Sequence, residues 1–177
     1  DAVVAVFLAL LGIFIYITIR FKYWTWASGG IIALAHDSII VIGFFSLFSG
    51  ILPFSLDVDQ TFIAAVLTII GYSINDTVVI MDRIREYKKL YPKRDLKTNA
   101  NDALNSTLAR TFNTSASTLV VMIAIAIFGG EVIRGFAVAL TLGIVIGTYS
   151  SVFVATPLMY DFTTKIDEKR KAKQLSK

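Results

Sequence analysis

The stretch Gly71-Tyr72-Ser73-Ile74-Asn75-Asp76-Thr77-Val78-Val79-Ile80-Met81-Asp82-Arg83-Ile84-Arg85-Glu86 decides the fold. It sets Asn-Asp-Thr inside a run that is otherwise apolar enough to cross a bilayer, then leaves that run through a cluster of acids and bases. An ionisable group at membrane depth costs about 2.5–3.5 kcal/mol on insertion scales. A chain that keeps one there has a use for it, so Asp76 is the first functional candidate.

The rest of the chain supports a membrane reading. Hydrophobic residues make up 55% of the 177 and charged residues 17%, where a soluble domain carries roughly 25% charged. Mean hydropathy is +0.69. Five apolar runs are near the length that crosses a bilayer, about 17–25 residues. They cover about 2–19, 28–52, 61–81, 111–128 and 135–159. The expected fold is an all-α, polytopic transmembrane helix bundle of five spans occupying 1–160. A cytoplasmic loop at 82–110 and a basic tail at 161–177 complete it. Arg20 and Lys22, with Trp24 and Trp26, close the first span; Pro53 stops the second; Gly129-Gly130 turns between the fourth and fifth. Within the long loop, Pro92 breaks a helical extension of the third span. Leu96, Ala100, Ala103, Leu104 and Leu108 then have the spacing of an amphipathic helix. A helix on the membrane surface and a solvated connector both fit that spacing.

Composition also excludes. The absence of cysteine removes disulfides, thiolate metal sites and cysteine catalysis. A single histidine leaves no His-rich metal cluster. The net charge of +4 is no nucleic-acid signal, because the basic residues sit in segments that flank membrane spans. Nothing resembles a P-loop, a nucleophile elbow or a metal-ligand set, so no enzyme activity, metal or cofactor is expected. Any work must draw on an ion gradient or a partner, with protons as the coupling ion. Asp1 opens directly onto Ala2-Val3-Val4 with no signal peptide, so the chain reads as a fragment cut at a helix start.

Lys and Arg concentrate beside the first turn, in 82–110 and in the tail. Asp57 with Asp59, and Glu131 with Arg134, mark the other two loops. The basic segments should be cytoplasmic, which places the amino end outside and the carboxyl end inside.

Asp76 lies about six residues from the inner end of the third span, roughly 9 Å deep at 1.5 Å per residue. Asn75 and Thr77 flank it as hydrogen-bond partners. A carboxyl group there is stable either protonated or ionised beside a cation, and toggling between the two is what a proton relay requires. A static helix–helix hydrogen bond is the competing reading. Spans three and four run antiparallel, so Arg110 can share the depth of Asp76. Arg110, Asn113, Thr114 and Ser117 form one stripe, with Thr107, Thr111, Ser115 and Thr118 beside it. So many hydroxyls argue for a face turned to the bundle or a wet cavity; an arginine snorkelling to headgroups is the alternative. His36 and Asp37, near the middle of span two, are the other buried polar pair. They either titrate or fix helix register. Ala139, Gly143, Gly147 and Ser151 recur at four-residue spacing, which permits close helix packing.

The 71–86 stretch closely resembles a signature of SecF, a membrane subunit of the bacterial Sec protein-export machinery. Three further segments resemble the same family. They are Ala35-His36-Asp37-Ser38 with Ile42-Gly43-Phe44-Phe45-Ser46-Leu47, then Leu104-Asn105-Ser106-Thr107-Leu108-Ala109-Arg110-Thr111 with Thr114-Ser115, and Ile133-Arg134-Gly135-Phe136-Ala137 through Gly143 and Gly147 to Pro157. The match at Ile80-Met81 is approximate, and no matched polar position is lost. Members of the family have six spans and a large external domain after the first. The five spans here read as if the first span and that domain were missing, or as the end of a fused SecD–SecF chain.

The resemblance implies a bundle like half of a resistance-nodulation-division transporter membrane domain, in the bacterial cytoplasmic membrane. It implies an accessory role in Sec-dependent export, in which the proton gradient helps pull a translocating polypeptide through the SecYEG channel. SecD, or a SecD half of the same chain, would be the partner, with membrane lipid around both. Asp76 matches the family's intramembrane acid and Arg110 its arginine; for His36 and Asp37 it implies less. Two other functions compete: half of a proton-coupled exporter of small molecules or lipids, and a structural subunit whose polar residues only lock helices together.

Overall fold

Two aspartates start the two longest helices. Asp59 accepts from the Phe62 N–H at 2.8 Å and caps α3 (Gln60–Leu90). Asp95 accepts from the Thr98 N–H at 3.1 Å and caps α4 (Leu96–Phe128). Each cap satisfies donors that a first turn leaves free. The computed structural model describes residues 2–51, 56 and 59–175. The remaining helices are α1 (Ala2–Phe21), α2 (Trp24–Phe48), α5 (Glu131–Ser150) and α6 (Thr156–Leu175). One π-helical turn, Ser151–Ala155, joins α5 and α6 into a single rod.

Five of these helical stretches are long and apolar enough to cross a membrane, the fifth being the α5–α6 rod. The chain is thus the expected all-α membrane bundle. Several ends differ from the sequence reading. The second helix begins at Trp24 rather than Ser28 and stops at Phe48, with Gly50 at φ +78° just beyond it. A positive φ is cheap only for glycine, so the helix ends before Pro53. Pro53, Asp57 and Lys177 lie outside the described residues. The segment 96–108 is helical, as its spacing suggests, and runs on into the fourth span without a break. It is the first part of α4, because no Gly or Pro interrupts 96–128.

The rod also continues past 159, through a widened turn. Pro157 has no N–H and its ring crowds the preceding turn's carbonyls. The π turn ahead of it absorbs that clash, and the Thr156 hydroxyl donates to the Ser151 carbonyl at 2.9 Å.

The helices pack around α3 and α5, which contact each other extensively; α4 lies against both, and α1 leans mainly on α2. The buried apolar residues fall into two clusters. Leu34, Val41, Phe45, Phe62, Val66, Ile69, Ile70 and Leu140 belong to one. Ile17, Phe21, Trp26, Ile80, Met81, Ile84, Ala103 and Met159 belong to the other. Along α3, buried Ser73, Asp76 and Thr77 fall between the two clusters. This polar layer is what the fold builds inside an otherwise apolar interior.

Candidate functional site

Close packing of α3 on α5 forms the layer's frame. Gly143 sits directly on Ile69, and a Cβ added at Gly147 would stand 2.9 Å from the Ser73 Cβ. Ala139 and Ser151, on the same stripe, have no exposed surface. Small residues at four-residue spacing thus bring two backbones together where long side chains would hold them apart.

That proximity assembles a hydrogen-bonded cluster around Asp37, which is 1% exposed. Its Oδ2 accepts from the Ser73 hydroxyl of α3 at 2.7 Å and from the Ser150 hydroxyl of α5 at 2.7 Å. Its Oδ1 lies 3.1 Å from Nδ1 of half-buried His36. Thr77 and Ser151 exchange a hydroxyl bond at 2.9 Å, and the Ser151 hydroxyl also donates to the Ser73 carbonyl at 3.4 Å. One carboxylate therefore holds three helices. Ser73 and Ser150 were not among the residues singled out from sequence. Their signal was chemical: a carboxyl buried in α2 needs donors, and hydroxyls on neighbouring helices are the available ones.

Asp76 faces the other way, towards α4. It is 5% exposed, and its Oδ2 has no hydrogen-bond partner. Arg110 and Ser115 lie within electrostatic reach, yet no direct ion pair joins Asp76 to Arg110 among the described residues. Arg110 is exposed and lines a cavity at the end of the bundle. The Ser115 hydroxyl is shared with Thr148 of α5 at 2.6 Å. The Tyr72 hydroxyl reaches Thr118 at 3.5 Å, a long bond across α3 and α4.

The sequence-predicted residues therefore divide. Asp76 and Arg110 are on facing helices but not in contact. His36 and Asp37 touch each other. Thr77 joins the Asp37 cluster and gives nothing to Asp76. Asn75 does not partner Asp76 either: it is exposed and lines a cavity of about 330 Å³ with Gly12, Tyr16 and Val78. Adjacent helical residues point about 100° apart, which sends the neighbours of Asp76 to other faces. No three His, Cys, Asp or Glu side chains group as metal ligands among the described residues.

Away from the polar layer, ion pairs join Arg20 to Asp82 at 2.8 Å and Arg94 to Asp102 at 3.3 Å. The Thr98 hydroxyl, then the Thr98 N–H, holds the Asp95 carboxyl below the usual carboxylate range. Chemically, the layer offers one buried, unpartnered carboxyl oxygen on Asp76 and a set of hydrogen-bonded hydroxyls around Asp37.

Comparison with known proteins finds likeness in sequence and in fold. The family model described as protein export membrane protein SecD/SecF, C-terminal, matches residues 1–165. The protein translocase subunit SecF of Rhodothermus marinus is 51% identical over 170 residues, covering 96% of this chain and 55% of the relative. That of Cereibacter sphaeroides is 47% identical over 155 residues, covering 88% and 46%. The chain spans about half the length of these relatives. The crystal structure of SecDF in its super-membrane-facing form superposes with a TM-score of 0.84 at 40% identity. It covers 93% of this chain and 21% of that one.

Proposed function

The chain belongs to the SecD/SecF family of protein-export membrane proteins, and from that premise we propose that it is the membrane part of a proton-driven accessory subunit of Sec-dependent translocation. SecD, the SecYEG channel and a translocating polypeptide are its partners in this reading. It lies in the bacterial cytoplasmic membrane with the amino end outside. Protons crossing at Asp76 supply the work.

One observation carries the proposal: Asp76 is buried with a free carboxyl oxygen while Arg110, the nearest candidate counter-ion, stands off. An isolated buried charge costs several kcal/mol. The arrangement therefore suits a protonated Asp76, and loss of the proton gives Arg110 a reason to move towards it. The α3–α5 contact at Gly143 and Gly147 is close. Arg110 is carried by α4, so a movement of α4 against α3 is the motion this reading calls for. One proton thus biases two packings of the same helices. The family's printed names, protein translocase subunit and protein export membrane protein, favour this over a small-molecule exporter.

The test is export of a secretory preprotein in cells whose only copy of the protein carries Asp76→Asn. The expected result is loss of the export stimulation at normal protein level and with normal helix content. Full stimulation by the Asn variant contradicts the proposal.

A further inference from the structure

A second feature lies away from the polar layer. Where the last turn of α1 meets the later part of α3 and the first half of α4 there is a cavity of about 750 Å³, within the size range of ligand sites. Arg20, Arg83, Arg85, Lys89 and Arg110 converge on it from three helices. Two carboxylates answer them. Asp82 pairs with Arg20 at 2.8 Å and Glu86 with Arg83 at 2.6 Å. Arg85, Lys89 and Arg110 have no carboxylate partner among the described residues, so the cavity carries a surplus of three positive charges. Like charges repel at this range, and a cleft lined by one sign of charge concentrates counter-ions of the other.

The surroundings say what kind of anion. The cavity sits where the apolar helices reach water. Tyr23 and Trp24, exposed at the start of α2, form an aromatic belt at this level, with Lys88 over the Tyr23 ring at 5.1 Å. The same helices carry exposed apolar residues on other faces: Ile19 on α1, and Leu108 and Phe112 on α4. A phosphate here would sit beside helices whose outer faces are apolar. Basic pockets between membrane helices bind anionic headgroups in this way.

We propose that this cavity binds the phosphate of an anionic phospholipid headgroup, with Arg85 and Lys89 as its principal ligands. Arg85 is already held in place, donating to the Arg20 carbonyl at 3.3 Å. The site does not depend on the export role, and its test does not read export.

The test is a native mass-spectrometry titration of the detergent-purified protein with phosphatidylglycerol and with phosphatidylcholine. Phosphatidylglycerol should bind the more tightly. Arg85→Gln with Lys89→Gln should weaken it about thirtyfold, at about 1 kcal/mol per cation. Lys89→Arg should retain it. Lys93→Gln with Lys97→Gln removes the same charge outside the cavity and should change little. Millimolar inorganic phosphate should not displace the lipid. No preference for phosphatidylglycerol, equal losses in both double variants, or displacement by inorganic phosphate would each overturn the proposal; the last would assign the site to a soluble anion. If the double variant does not fold, Lys89→Gln alone decides by the same readout.

Discussion

Ser150 donates to Oδ2 of Asp37 at 2.7 Å, across 113 residues of sequence. With Ser73 on the same oxygen at 2.7 Å, the carboxyl of α2 ties α3 and α5 together at the level where apolar packing is interrupted. Removing it leaves two buried hydroxyls without their acceptor.

Asp37→Ala should therefore lower stability in detergent by about 1–3 kcal/mol, the cost of stranding buried donors. Hydrogen bonds inside membranes average less than this ceiling because the alternatives also find partners. Asp37→Asn keeps one acceptor oxygen and should fall between the two. Thermal unfolding followed by circular dichroism is the measurement, and identical curves for all three proteins would remove Asp37 from the scaffold.

The glycines form an ordered series. A Cβ at Gly29 would meet the Ala155 carbonyl at 2.8 Å and the Met159 nitrogen at 2.9 Å, both backbone atoms that cannot give way. At Gly143 it would meet the Ile69 side chain, which must shift but is not backbone; at Gly12 nothing lies within 4 Å. Gly29→Ala should cost most, about 1–3 kcal/mol or more by overpacking, Gly143→Ala less, and Gly12→Ala nothing measurable. The order of melting temperatures checks this, and Gly12→Ala as damaging as Gly29→Ala would contradict the packing.

Much of this was legible in sequence, for physical reasons. Apolar runs of bilayer length announce the spans, and small residues four apart announce the α3–α5 seam, because both patterns are local. Helix ends were less so: 96–128 contains no breaker, so hydropathy changes along α4 while the helix does not. Asp76 and Arg110 were placed on facing helices by antiparallel order alone. The distance between them depends on how α3 and α4 pack, which no local pattern encodes. Ser73 and Ser150 were missed because an acceptor on α2 selects them only after three helices are assembled. Asn75 and Thr77 were read as partners of Asp76 from adjacency, and the helical turn separates them from it.

Asp95 gives a pH dependence outside the membrane. Its carboxyl is held below the ordinary range by Thr98, so the folded state favours its ionised form. The sign follows: the cap's contribution is complete above the unfolded value of about 3.9 and fades as pH falls through the lower folded value. Amide exchange at 96–100 should thus stay slow at neutral pH and quicken, relative to the intrinsic rate, in acid. Asp95→Ala should show fast exchange at every pH. No difference between the two proteins at pH 7 would remove the cap.

The central claim is that Asp76 changes protonation and that Arg110 senses it. Infrared difference spectroscopy across pH, with the Asp76→Asn spectrum subtracted, isolates the Asp76 carboxyl band in the protein with its partner. The account predicts a carboxyl band that titrates between about pH 4 and 9 and a midpoint that moves when Arg110 is replaced by Gln. A band that does not titrate in that range, or a midpoint unchanged by Arg110→Gln, would contradict it.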